Sequence, residues 1–171
     1  TVLTESVIRT GLYTSPHLIR ISERIRCDSE TVPDNFIADF ITGHAAYITN
    51  NKITFFEVIT ALAFEWFALK KAEIVVLETG LGGRLDATNV VRPEVSVITR
   101  VDLDHTELLG RDLASVAATI MPSVEESRDP DLVTVEDRYD IVLAGHHPEL
   151  RPEMVVLDGL AVYDIVRVAP T

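Results

Sequence analysis

Apolar residues in this chain fall into short unbroken blocks that alternate with stretches of helical spacing. Ile74-Val75-Val76-Leu77 is such a block, largely β-branched, and reads as a strand buried on both faces. Gly11-Leu-Tyr-Thr14 and Val95-Ser-Val-Ile-Thr99 read as two more strands. Between them, Thr31 to Tyr47 predicts an amphipathic helix with Pro33 near its start and Phe36, Ile37, Phe40, Ile41 and Ile48 on one stripe. A second helix is expected from about Phe55 to Lys71, with Val58, Leu62 and Phe67 on its core face and Trp66 at the edge. A third follows Gly110, where Leu113, Val116, Ala117 and Ile120 recur at helical spacing.

The pattern then changes. Residues 121–140 turn polar and acidic, carry Pro122 and Pro130, and read as an acidic linker or surface loop. Beyond it, Ile141–Ala144, Met154–Leu157 and Leu160–Val168 read as additional strands within residues 141–171. Alternating strands and helices point to an α/β fold, a mainly parallel sheet with flanking helices.

Composition narrows the function classes. Hydrophobic residues make up 47% of the 171 positions, enough to build a sizeable core and too many for a disordered chain. Acidic residues outnumber basic ones by 27 to 15, and the lysines are Lys52, Lys70 and Lys71. A net charge of −12 repels nucleic acid and anionic membranes, so neither is expected as a partner. No apolar run approaches a membrane span, and no secretory leader pattern opens the sequence, which points to a cytoplasmic protein. Cys27 is the single cysteine, so there is no disulfide framework.

Chemistry concentrates where the strand candidates end. Glu78 stands at the carboxyl end of the 74–77 block, followed by a glycine turn at Gly80, Gly82 and Gly83 and by Arg84, Asp86, Thr88 and Asn89. The glycines permit positive φ and close approach of a ligand, and the polar residues supply a charge with several donors and acceptors. The first strand runs into Ser15-Pro16-His17 and the third into Asp102, Asp104 and His105. Ligands of open parallel sheets bind beyond the carboxyl ends of the strands, so parallel neighbours would bring Ser15, His17, Glu78, Asp86, Asp104 and His105 to one crevice. Thr54-Phe-Phe-Glu57 also fits a helix capping box.

On these residues the chain resembles the folylpolyglutamate synthase and dihydrofolate synthase family of the Mur-ligase superfamily. The matching runs are Gly11-Leu-Tyr-Thr-Ser-Pro-His-Leu18, Ser22-Glu-Arg-Ile25, Thr54-Phe-Phe-Glu57, Leu77-Glu-Thr-Gly-Leu-Gly-Gly-Arg-Leu-Asp-Ala-Thr-Asn-Val90 and Leu103-Asp-His-Thr-Glu-Leu-Leu-Gly110. They cover residues 1–120, which the resemblance makes a partial Mur-ligase-like central domain.

The resemblance implies an ATP-dependent ligase that joins glutamate to dihydropteroate or folate through an acyl phosphate. Ser15, Pro16 and His17 match the family's mobile substrate loop. Thr54, Phe56, Asp86 and Ala87 match its pterin pocket, with Phe56 as a flat apolar surface for the heterocycle. Glu78 and His105 match its Mg2+ ligands, and Asn89 is a nucleotide-side candidate. ATP, glutamate and a pteroate or folate are the implied small-molecule partners.

Two departures bear on activity. The family's phosphate-binding loop is expected upstream of Gly11, yet no lysine follows a glycine anywhere in this sequence. Ala114-Ser-Val-Ala-Ala-Thr-Ile120 occupies the place of the family's lysine-bearing run. The sequence therefore reads as the central part of the ATP-binding domain, without the phosphate loop or the carboxy-terminal domain. Three functions follow: the ligase itself, an inactive remnant or pterin-binding module lacking the nucleotide site, or another Mur-superfamily ligase.

Overall fold

The computed structural model describes residues 3, 7–98, 105–109 and 111, together with strands at 133–137, 139–144 and 162–167. The chain divides into two compact units, Thr1–Leu77 with Arg167–Thr171, and Glu78–Val166.

The first unit is built on β1 (Thr10–Tyr13), which pairs in parallel with β4 (Ile74–Glu78) from Thr10↔Ile74 to Tyr13↔Leu77. On its other edge β1 pairs antiparallel with β2 (Ile25–Cys27), and β2 with the two-residue β3 (Glu30–Thr31). A single 3-10 turn, Ile21–Arg24, leads directly into β2. Two helices connect β3 to β4, as a parallel crossover requires.

Helix α1 (Asp34–Asn51) begins three residues later than the sequence pattern predicts. Thr31 is held in β3, and Pro33 adopts an extended conformation at ψ 148° that sets the helix start after it. Its far end runs on to Asn51, where Lys52 turns left-handed and donates its N–H to the Ile48 and Thr49 carbonyls. Ile37 and Phe40 are buried, whereas Ile41 lies on the margin of the stripe at 41% exposure.

Helix α2 (Phe55–Leu69) forms the core of this unit. Thr54 and Glu57 make the capping box read from the sequence: the Glu57 N–H donates to Thr54 Oγ1 at 3.3 Å, and Glu57 Oε2 accepts the Thr54 N–H at 2.7 Å. Val58, Ile59, Leu62, Ala63 and Phe67 are buried beneath it. Trp66 belongs to this interior rather than to an edge, being 3% exposed with its ring centroid 5.0 Å from that of Phe36 and Lys70 Nζ 4.6 Å above it. Contact between α2 and β1 depends on Gly11, where an added Cβ would stand 2.8 Å from Phe67 Cδ1.

The second unit contains β5 (Val95–Ile98), which pairs antiparallel with both β7 (Tyr139–Ala144) and β8 (Val162–Arg167). Strand β6 (Val133–Asp137) pairs antiparallel with β7. One residue separates β6 from β7, too short a connection for anything but a hairpin. Val133–Asp137 thus forms a strand inside the stretch expected to be an acidic linker, where alternating Val133-Thr134-Val135 favours extended backbone. The short helix α3 (Thr106–Leu109) follows His105.

The α/β class of the sequence analysis stands, with a mixed sheet: β1 and β4 are parallel and the pairings of β2, β3, β5, β6 and β7 described above are antiparallel. The helix expected after Gly110 and the strand expected at Met154–Leu157 lie outside the described residues. Among the described residues no helix is long and apolar enough to cross a membrane.

Candidate functional site

Two groups of site residues emerge, one in each unit. In the first unit, the segment after β1 carries Ser15, Pro16 and His17, with a cis peptide bond between Ser15 and Pro16. Glu23 fastens the chain that follows. Its carboxylate accepts the backbone N–H groups of Leu18 at 2.9 Å, Ile19 at 3.1 Å and Arg20 at 2.7 Å. These amide bonds, with Leu18 foremost, hold the Glu23 carboxyl below the usual glutamate range. The turn leaves Leu18 and Ile19 exposed at 92% and 86%, so its apolar side chains face solvent while its amides are satisfied internally. An exposed ion pair between Arg20 and Asp34 ties the same turn to the start of α1.

Arg24 completes this arrangement. Its Nε–H donates to His17 Nδ1 at 2.8 Å, and its guanidinium carbon lies 5.5 Å from the centroid of the Phe55 ring. Its carbonyl accepts the Thr14 N–H at 2.9 Å. The Ser15–His17 segment is thereby connected to the first turn of α2, where the sequence placed Thr54 and Phe56. Phe56 is half-buried, its ring centroid 5.9 Å from that of Tyr13 at the end of β1. Tyr13 is fully buried, and its hydroxyl lies 3.0 Å from Thr60 Oγ1, whose own proton reaches the Phe56 carbonyl at 2.8 Å. Thr54 is exposed and is occupied by capping: its hydroxyl donates to Glu57 Oε2 at 2.6 Å.

The second unit holds the glycine turn. Gly82 and Gly83 adopt φ of 71° and 91°, so the conformational freedom inferred from the sequence is used at these two positions. Asp86 organises the loop from within. Oδ2 accepts the Leu81 N–H at 2.9 Å, while Oδ1 accepts the Thr88 N–H at 2.9 Å and the Thr88 hydroxyl at 2.6 Å. Thr88 is 1% exposed, Asp86 and Ala87 are half-buried, and Asn89 is exposed with Nδ2 donating to the Arg84 carbonyl at 2.9 Å. Glu78 ends β4 and is half-buried. His105 is exposed, has a left-handed φ of 45°, and its carbonyl accepts the N–H groups of Leu108 and Leu109.

The structure links His17, through Arg24 and Phe55, to the first turn of α2 that carries Phe56, and places Asp86 at the centre of the glycine loop. Glu78 and His105 belong to the second unit, and among the described residues no group of three His, Cys, Asp or Glu side chains is assembled for a metal. Asp104 lies outside the described residues. The roles of Glu23, Arg24, Phe55 and Tyr13 were not assigned from sequence. A clue lay in the spacing of Glu23 three residues after Arg20, the interval at which an acidic side chain reaches back to a preceding amide.

The parallel β1–β4 pair bridged by two helices and followed by a Ser-Pro-His turn in the first unit, and an Asp-centred glycine loop in the second, fit the Mur-ligase type α/β fold that the sequence resemblance implies. No family model matches the chain. It is 42% identical over 120 residues to the dihydrofolate synthase/folylpolyglutamate synthase of Haemophilus influenzae, a match covering 68% of this chain and 26% of that protein. It is 39% identical over 157 residues to a probable bifunctional folylpolyglutamate synthase/dihydropteroate synthase of Halobacterium salinarum, covering 81% of this chain and 19% of that one. Among solved structures, the apo form of the L. casei folylpolyglutamate synthase matches with a TM-score of 0.63 at 38% identity, over 70% of this chain and 31% of the other. E. coli FolC in complex with DHPP and ADP matches with a TM-score of 0.68 at 28% identity, over 84% and 41%. The chain belongs to the folylpolyglutamate synthase and dihydrofolate synthase family, and spans about a quarter of the length of the Haemophilus relative.

Proposed function

We propose that this chain carries the acceptor-substrate part of an ATP-dependent amide ligase that adds glutamate to dihydropteroate or folate. The observation that carries the reading is the connection of Ser15–His17, through Arg24, to the first turn of α2, together with the Tyr13–Phe56 ring pair. A half-buried aromatic face backed by a buried ring suits a flat heterocycle, which gains from stacking as well as from area removed from water.

Asp86 adds to the reading in a restricted way. A carboxylate has about four acceptor positions. Three are taken by Leu81 and Thr88, which leaves one on Oδ2 for a pterin amino or ring N–H. Asp86 thus serves first as the organiser of its loop and second as a substrate acceptor. Ala87, a small half-buried side chain between Asp86 and buried Thr88, is proposed for the same substrate. Asn89, already bound to the Arg84 carbonyl, retains its amide oxygen for the nucleotide side.

Glu78 and His105 are proposed as ligands of Mg2+, which would neutralise phosphoryl oxygens of ATP while the substrate carboxylate is activated. The donor chemistry fits in part. Magnesium takes one or two protein carboxylates, with water and phosphate oxygens completing its octahedron. Half-buried Glu78 is a suitable oxygen donor, and exposed His105 is a less usual partner.

Binding of the acceptor tests the reading. Dihydropteroate or folate titrated into the folded chain should bind saturably, and Phe56→Ala should weaken binding roughly two- to tenfold, from a stacking contribution of about 0.5–1.5 kcal/mol. Absence of saturable binding at millimolar ligand would remove the basis for the proposal.

A further inference from the structure

Arg24 is 8% exposed, and a buried guanidinium is costly unless its donors and charge are engaged. Among the described residues it forms no ion pair. It engages an imidazole nitrogen and an aromatic face instead, at His17 Nδ1 and Phe55. Arginine always presents protons on its nitrogens, so a hydrogen bond from Nε requires a free lone pair on Nδ1. The proton of the His17 ring must then stand on Nε2. Half-exposed His17 is thereby left with its donor nitrogen for a ligand, while Glu23 fixes the backbone immediately after it by accepting the Leu18, Ile19 and Arg20 amides.

We infer that Arg24 is a positioning residue that sets His17 as an Nε2–H donor to an acceptor atom of the pterin-bearing substrate, a ring carbonyl oxygen or imine nitrogen, with Glu23 fixing the backbone that follows it. This rests on the function proposed above. Arg24 touches His17 and Phe55 and acts on the substrate through them. The arrangement explains why a Glu-Arg pair follows the Ser-Pro-His turn: the glutamate satisfies the turn's amides, and the arginine orients its one ring with two possible tautomers. A lysine would not substitute well, since its ammonium cannot donate from the Nε position while a planar group spreads over Phe55.

The test uses two variants of equal chain length. Glutamine carries its amide nitrogen at the same number of bonds from Cα as arginine Nε, so Arg24→Gln retains a donor. Arg24→Met fills the same space with none. In 15N-labelled protein, long-range ring correlations should show His17 with a pyridine-like Nδ1 and a protonated Nε2 in the wild type and in Arg24→Gln, and a mixture of tautomers in Arg24→Met. Folate binding should weaken about five- to tenfold in Arg24→Met and stay within about twofold in Arg24→Gln, the span expected for one hydrogen bond. A wild-type His17 protonated on Nδ1 overturns the inference even if folate binds. So does an Arg24→Met variant that loses binding while its His17 tautomer is unchanged, since Arg24 would then act only in folding. If Arg24→Met does not fold, the wild-type tautomer and the Arg24→Gln binding ratio still decide. If the wild type shows the expected tautomer but no folate binding, the proposed function fails, and with it the substrate part of this inference, while the Arg24–His17 geometry stands.

Discussion

Asp86 Oδ1 accepts two protons from Thr88, one from the backbone N–H at 2.9 Å and one from the hydroxyl at 2.6 Å. A single carboxylate oxygen therefore closes the turn on its C-terminal side, while Oδ2 ties it back to Leu81. The left-handed glycines at 82 and 83 let the chain fold tightly enough for these atoms to meet.

Removal of the carboxylate should therefore disrupt the loop before it affects any ligand. Asp86→Ala leaves buried Thr88 with an unsatisfied hydroxyl and amide, and is expected to lower stability by about 1–3 kcal/mol. Asp86→Asn keeps one acceptor oxygen for Thr88 and loses the bond to Leu81, so its cost should be smaller. Urea unfolding of the three proteins gives the ranking. Equal stability of Asp86→Ala and wild type would show that the loop is held by something other than this side chain.

The elements whose periodicity was unambiguous were legible in the sequence. The 74–77 block, the glycine turn and the Thr54 capping box are each determined by neighbouring residues, and each lies where the pattern put it. The start of α1 was misplaced because Glu30 and Thr31 are taken up by pairing with β2, a partner distant from helical spacing. Strand direction was less legible still. Nothing local to Val95–Ile98 announces antiparallel pairing with strands beginning at residues 139 and 162. In the site, residue types were readable but not their occupancy. Asp86 was recognised as an acceptor, whereas its engagement by Leu81 and Thr88 depends on a loop conformation that composition alone does not fix.

Two glycines in the first unit should respond to alanine in opposite directions. At Gly11 a Cβ would meet the Phe67 ring at 2.8 Å, within a buried contact between β1 and α2. Gly11→Ala should destabilise by about 1–3 kcal/mol through overpacking. At Gly43, inside α1, a Cβ would have nothing within 4 Å, and alanine removes backbone freedom from the unfolded chain. Gly43→Ala should stabilise by about 0.5–1 kcal/mol. Thermal melts of the two variants measured side by side check both signs at once.

The α2 cap should show in both stability and pH dependence. Thr54→Ala removes the acceptor of the Glu57 amide and should cost about 0.5–2 kcal/mol, with Thr54→Ser recovering most of it. The Thr54 hydroxyl, and then its backbone N–H, hold the Glu57 carboxyl below its ordinary value of 4.5. A depressed acid stabilises the fold above its unfolded value, and that contribution is lost as pH falls through the lower folded value. The stability difference between wild type and Thr54→Ala should therefore be constant near neutrality and shrink in acid. A difference that grows on acidification would contradict the capping geometry.

Glu23 makes the same sign argument for the Ser-Pro-His turn, with a local readout. In the folded chain its carboxyl lies below the ordinary value of 4.5 because the Leu18 and Arg20 amides, and then that of Ile19, donate to the ionised form. The restraint on residues 18–20 is thus complete above that value and is lost as pH falls through the lower folded one. Hydrogen exchange of these three amides, corrected for the intrinsic pH dependence of exchange, should lose protection in acid while the β1 amides remain protected. Glutamine at position 23 offers one acceptor oxygen and an NH2 group, too few acceptors for three amides. Glu23→Gln should accordingly show the weakened protection of residues 18–20 already at neutral pH, with no further loss below 4.5. Undiminished protection of the turn in Glu23→Gln would show that its order does not come from these three hydrogen bonds, a result at odds with the 92% and 86% exposure of Leu18 and Ile19, which leaves their side chains little packing to hold it.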